Sequence, residues 1–592
     1  YKRQVFDVLE LERGGAKSFD FETPGVPEGR EAILVMQARL HSPKVAGYTP
    51  ALRLTLNGTV LDAHRLRNKP LRVKSRGGNV YTMAAGERFS TYYTPDFAAP
   101  DLDPYYGLLG GVKPCAFELD VTDLVREGAN TLEVQHAAAE SVKNPLSAAD
   151  ARLVFRTPPP PPKEKAGPPR GPLPFIEPRA THKTAYSPEE LPEGRIEVTV
   201  GGESFVVESL FSTPAPGWVH GSNAYFAHER ALERGPEALV ITDTFTNRTD
   251  EKLGVMHRYQ VALGERQKGL WLAGREQPSG SGSTATPANP TSYAATDTHG
   301  IGFVALSDVL RVHVANYAVT GAMGIADNQL VIAPGATHTT RFAVIPTDAP
   351  DYWRFINAAR RLWDVNFTIP GAFAFLRGGP LTEAWSDEQV ADFIRYKDAH
   401  YVCTSIMYPK YQGHYTHGTA FQRVDHSSYI AAAERFRRLA PGIQYLVYFH
   451  CFLDVTEDAP GRFADARTLR PDGVQADYGQ SKQRLFFPTE NNSYGQEIRK
   501  NVDIILDTIG ADGVYWDEHE RSRWDYHFGE PWDGCSGDID PRSMEVVRLK
   551  SSITLLSEAW RVGLAKDILA RGPLTGNGPP VTQAMAALRF PC

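Results

Sequence analysis

The feature that most constrains this chain is a helix that runs directly into a short apolar strand. Ile498, Val502, Ile505 and Ile509 recur at helical spacing, Ser493 and Gln496 make a capping-box pair, and Gly510 supplies the stop. The ten residues that follow, Ala511 to Glu520, read ADGVYWDEHE, so a strand must begin near Asp512. A helix feeding a short apolar strand that ends in acids is the αβ step of a parallel α/β fold, in which chemistry sits at the strand C-termini. Period-two alternation puts Tyr515 and Asp517 on one face and Val514 and Trp516 on the other. Asp517 is therefore the acid expected to point inward.

Asp517, Glu518, His519 and Glu520 lie beside Tyr515 and Trp516. The same stretch could be a strand end whose acids cap the next helix or face water. Carboxylates mixed with aromatic platforms also suit a sugar, whose C–H faces stack while its hydroxyls hydrogen-bond. On that reading Asp517 and Glu518 are the candidate catalytic residues, and Tyr515, Trp516 and His519 candidate substrate contacts. Adjacent residues of one strand diverge to opposite faces, so Asp517 and Glu518 cannot easily form one acid–nucleophile pair.

Around this stretch, residues 351–592 alternate strand and helix. A strand near Ala372–Leu376 precedes a helix opened by Ser386 with Gln389, carrying Val390, Phe393 and Ile394 inward. Then come the strand Tyr401–Tyr408, a helix around Ser428–Leu439, the strand Ile443–Asp454, a long insertion, the central strand, and a helix from about Ser552 to Ala570. Leu574–Asn577 begins a fifth strand. Repeated βα units predict a (β/α)₈ barrel of the TIM type, of which about five units are present. An open barrel exposes strand edges and apolar interior, so the polypeptide is expected to continue past Cys592. Tyr408, His450, Asp454 and Asn577 fall at strand ends and join the candidate substrate contacts, with the loop Tyr411–His417 beside them. His414, His417, His450 and Asp454 offer a competing set of metal ligands.

Upstream the pattern is β throughout. Residues 1–156 carry Leu52, Leu54 and Leu56 alternating into an Asn57-Gly58 turn, and Phe117, Leu119 and Val121 alternating likewise. Residues 157–172 read TPPPPPKEKAGPPRGP, a semi-rigid polyproline linker. Residues 173–350 hold Phe205–Phe211, Ala238–Asn247, Arg311–Val319 and Arg341–Pro346, read as strands of a large two-sheet sandwich. Pro278–Ser292 reads as an exposed loop.

At 592 residues the chain is too long for one core and suggests about three or four units. Its net charge of -7 argues against a nucleic-acid partner, and no apolar run approaches the length of a membrane span. Five cysteines without CxxC spacing indicate neither a disulfide framework nor a zinc site. The first residue is Tyr1, so compartment is not readable, and nothing in the sequence speaks to oligomeric state.

The run Phe117–Val134, FELDVTDLVREGANTLEV, resembles the closing strands of jelly-roll sugar-binding domains attached to many glycoside hydrolases. A jelly roll, a large sandwich and then a barrel with DGVYWD at its fourth strand resembles retaining glycoside hydrolases, most closely the endo-α-N-acetylgalactosaminidase-like group with its supersandwich. The resemblance implies an oligo- or polysaccharide substrate, an α linkage and no cofactor. It also implies that Asp517, matching the aspartate that ends strand four, is the nucleophile. In that family a glutamate after the next strand is the acid/base, and no clear equivalent precedes Cys592. Retaining hydrolysis needs a second carboxyl about 5 Å from the nucleophile, expected from another strand end. Asp454 is available but better suited to accept a substrate hydroxyl. A polysaccharide lyase or metal-dependent barrel enzyme using His450, and a non-catalytic glycan-binding protein, are the alternatives.

Overall fold

Alternating apolar residues build the β regions as the sequence suggests. The computed structural model describes the chain except for residues 1, 42–47, 70–71, 75–79, 83, 86, 94–96, 98–114, 159–169, 179–183, 216, 279, 320, 378–384 and 407–415. Its contacts divide the chain into two units, Tyr1–Glu164 with Trp385–Ala399, and Lys165–Ala384 with His400–Cys592.

In the first unit a ten-stranded sheet encloses an apolar core that includes Leu52, Leu54, Leu56, Phe117, Leu119 and Val121. The strands Tyr48–Leu56 and Thr59–Val60 meet across Asn57 (φ 52°) and Gly58 (φ 83°), the two left-handed positions a tight hairpin demands. The helix Asp387–Tyr396 groups with this unit rather than with the parallel sheet of the second. Its Ser386/Gln389 capping box forms as expected, Val390 and Ile394 are buried, and Phe393 is half-buried. Arg67 is 3.5 Å from Asp392, and the His64 ring meets Trp385 edge-on at 5.3 Å.

In the second unit two antiparallel sheets of eight and seven strands share one core, with Phe205, Phe211 and Tyr259 from one sheet meeting Ile241, Phe245 and Phe342 from the other. Two expectations are corrected here. The stretch expected as one strand from Arg311 to Val319 starts with a helix, Asp308–His313, and only Val314–Val319 is extended. Ser307 and Asp308 start the helix, and the alternation of RVHV masked it. Pro278–Ser292, expected as loop, includes the strand Gly282–Thr284 paired to Asn316–Ala318.

The parallel sheet that follows is β1 (Ala372–Arg377), β2 (Ala399–Ser405), β3 (Gln444–Phe449), β4 (Gly513–Trp516) and β5 (Leu574–Gly576), in that spatial order. β2–β3, β3–β4 and β4–β5 pair in parallel. Helix α1 (Ser427–Leu439) leads into β3, and α2 (Glu558–Arg571) leads into β5. The helix before β4 is capped by Asn492, whose side chain accepts from Gly495 N, and not by Ser493; Gly510 ends that helix at φ 71°. One face of the sheet carries Tyr401, Cys403, Leu446, Tyr448 and Tyr515. The other buries Phe449 and Trp516, with Trp560 of α2 edge-on to Trp516 at 6.1 Å.

Candidate functional site

The site grows from the β3–β4 register. Tyr448 pairs with Tyr515 and Phe449 with Trp516, and Asp517 N extends the ladder by donating to Phe449 O at 2.8 Å. Asp517 therefore shares the face of Tyr515, as alternation predicted. Its two oxygens are both held. Tyr448 donates its hydroxyl to Oδ2 at 2.6 Å, and Asn577, just past β5, donates Nδ2 to Oδ1 at 2.6 Å. The Asn577 backbone N–H bonds Trp516 O at 2.9 Å, which fixes that amide beside the carboxylate. Burial and the Asp517 charge push the Tyr448 phenol well above its ordinary range, so it stays protonated and donates.

Glu518 departs from strand alternation. Its φ of 50° is left-handed, a conformation an L-residue adopts at a cost of order 1–3 kcal/mol, and it turns the side chain back toward β3. There its Oε2 lies 3.0 Å from His450 Nε2 and accepts from Ser522 Oγ at 2.5 Å, while Tyr478 donates to Oε1 at 2.7 Å. His450 Nδ1 accepts from Phe452 N at 3.1 Å, so its Nε2 carries the proton that goes to Glu518. Burial works to raise the Glu518 carboxyl, but the His450 hydrogen bond and the two hydroxyls outweigh it and hold it at about 2. Glu518 is a fixed anion.

The remaining expected contacts divide. Tyr515 is half-buried on the site face, stacked on Phe373 at 5.0 Å and edge-on to Phe375 at 5.8 Å, both of which are exposed. His450 and Asn577 reach the two carboxylates. Trp516, at 1% exposure, lies on the opposite face, so the expected sugar stacking on its ring is corrected to packing against Phe449 and Trp560. His519 is also buried, edge-on to Phe590 at 5.4 Å; the turn at Glu518 directs it inward, and burial lowers its imidazole to about 4.

Asp454 is corrected too. Strand β3 stops at Phe449, and Leu453–Asp454 pairs antiparallel with Arg484–Leu485 instead. The carboxylate has 0% exposure and accepts four bonds, from the backbone N–H and hydroxyl of Thr419 (2.7 and 2.8 Å) and of Thr456 (2.8 and 2.7 Å). A Cβ on Gly418 (φ 66°) would fall 2.5 Å from Asp454 Oδ2, so the loop closes directly over it. Its lone pairs are spent on the fold, which leaves it unsuited to a substrate hydroxyl or a metal. Glu520 is likewise structural, 2.7 Å from the fully buried Arg561 and accepting from Val581 N at 2.9 Å. Tyr408 and His414 lie outside the described residues. The five cysteines are free thiols.

Tyr448 and Tyr478 were missed by sequence reasoning. Tyr448 had a signal, because it sits two residues before His450 on one strand. Tyr478 comes from the insertion after β3, where no periodicity marks it.

No family model and no curated protein matches the chain. Among solved structures, the α-N-acetylgalactosaminidase NagBb from Bifidobacterium bifidum overlays at a TM-score of 0.41 with 10% identity, covering 70% of this chain and 78% of its own. An α-galactosidase from Lactobacillus brevis gives 0.38 and 11%, covering 69% and 57%. The α-galactosidase TtGalA from Thermus thermophilus gives 0.36 and 12%, covering 69% and 78%. Overlays this distant leave the functional reading to rest on the site's own geometry.

Proposed function

We propose that this chain is a glycoside hydrolase that cleaves an α-linked glycan with retention, and that Asp517 is its nucleophile. The observation that carries the reading is the placement of Asp517. It ends a parallel strand, shares a face with the exposed aromatics beside Tyr515, and is held by one donor on each oxygen. Donors of this kind stabilise the ionised form and aim it without blocking it. Attack of that carboxylate on the anomeric carbon expels the leaving oxygen and forms a glycosyl-enzyme, which water then cleaves.

Glu518 takes a different part. A carboxyl held near 2 carries no proton at neutral pH, so it accepts from sugar hydroxyls and stabilises positive charge on the ring rather than donating to the leaving group. The aromatics Tyr515, Phe373 and Phe375 supply C–H stacking surface. The test is a panel of p-nitrophenyl α-glycosides (glucoside, galactoside, N-acetylgalactosaminide) assayed with the full-length protein, the product anomer being followed by NMR. Release of the α-anomer first supports the reading, and release of the β-anomer first, or of an unsaturated product, contradicts it.

A further inference from the structure

We propose that Tyr448 is a positioning residue that aims Asp517, and that His417 supports it from behind by donating to the Tyr448 oxygen. The proposal rests on Asp517 being the nucleophile. The geometry forms a directed chain. An ionised carboxylate can only accept, so the single phenol proton of Tyr448 must go to Asp517 Oδ2, 2.6 Å away. The Tyr448 oxygen then has only lone pairs to offer His417 Nε2, 3.1 Å away, so that nitrogen must carry the proton. The buried His417 ring, edge-on to His450 at 5.6 Å, is thereby locked in one tautomer.

The chain answers a need the sequence creates. Glu518 is an adjacent anion, so Asp517 needs hydrogen-bond donors of its own to hold it. The Glu518 charge is offset by the His450 N–H and the Tyr478 and Ser522 hydroxyls, which contact Glu518 and not Asp517. Among the described residues, the other titratable groups facing Asp517 are the phenols of Tyr515 on its own strand and of Tyr478, the thiol of Cys403 on β2 and the neutral buried imidazole of His519. None of these brings a positive charge at neutral pH. The Tyr448 hydroxyl and the Asn577 amide both donate to the Asp517 carboxylate.

The experiment is the pH profile of kcat/KM for Tyr448→Phe in the full-length protein, on the p-nitrophenyl α-glycoside turned over fastest. Losing a bond made only to the ionised form should move the acid limb up by about one pH unit and lower kcat/KM at neutral pH roughly ten- to a hundredfold. His417→Ala should move the limb the same way by less, and His417→Gln, which can still donate, should restore it. A folded Tyr448→Phe with the parental acid limb overturns the proposal. If Tyr448→Phe does not fold, the two His417 variants decide, and identical limbs in both overturn it. Asp517→Asn run alongside separates the two readings. Parental turnover in Asp517→Asn removes the nucleophile and this proposal with it, whereas a dead Asp517→Asn beside an unmoved Tyr448→Phe limb removes only the role of Tyr448.

Discussion

Two regions of the second unit collect carboxylates, histidines and hydroxyls, and they differ in access. Inside the sandwich Asp243 accepts from Arg230 Nε and Nη2, each at 2.7 Å, and lies 3.0 Å from His228 Nε2. Nearby His313 Nδ1 is 2.9 Å from Asp327, and its Nε2 is 2.8 Å from Ser536 Oγ, the order of a hydrolytic triad. Yet Ser536 and Asp327 have 0% and 1% exposure, and the Ser536 hydroxyl donates to Asp533 at 2.5 Å. No substrate reaches that oxygen, and its proton is already committed. At the sheet rim the same residue types stand beside exposed aromatics. Clusters of polar groups thus do not mark a site by themselves. Access does, together with a carboxylate whose partners aim it rather than saturate it.

The largest difference expected between the regions is in turnover. Asp517→Asn should lower kcat by roughly a thousandfold or more with unchanged thermal stability, because a rim carboxylate serves chemistry and not the core. An equal loss in Glu518→Gln would undo the division of roles between the two acids. Asp327→Asn should do the reverse. Weakening the buried acceptor that holds His313, Gln329 N and Leu330 N should cost about 1–3 kcal/mol in urea unfolding, with activity per folded molecule unchanged. Lost activity at full stability would make the buried triad the site after all.

Glu518→Gln should reduce kcat/KM less than Asp517→Asn, by about ten- to a hundredfold, the worth of a hydrogen-bonding partner to a charged group.

Acid should unfold the protein through the strand end at Glu518 and His519, and the sign follows from where each proton binds. His519 takes a proton near 6.5 when unfolded and only near 4 when buried, so acidification from 6.5 to 4 favours the unfolded chain. Glu518 ionises near 4.5 unfolded and near 2 folded, so its contribution is present above 4.5 and fades as pH falls toward 2. Melting temperature should therefore decline below about pH 6.5, and His519→Gln should flatten the decline between 6.5 and 4. A His519→Gln curve parallel to the parent would show that another group governs it.

Much of this was legible in the sequence where a period carries it. The alternation of strand and helix from Ala372 to Asn577 gave the parallel sheet, and period two placed Asp517 with Tyr515. What failed lay where geometry leaves the period. The left-handed turn at Glu518 brings two adjacent carboxylates to one rim and sends His519 into the core, which no alternation rule foresees. Asp454 looked like a strand end because IQYLVYFHCFLD is apolar at most positions, but the chain turns after Phe449 and spends the carboxylate on two threonines. Trp516 was read as a platform from composition, although its own parity already put it on the helix-packed face.

Covalent trapping tests the role of Asp517 as nucleophile most directly. The full-length protein is incubated with a fluorinated glycosyl fluoride of the sugar it cleaves, digested, and the labelled peptide sequenced by mass spectrometry. One label is expected, on Asp517 within ADGVYWDEHE. A label on Glu518, or on an acid outside this strand end, would contradict it.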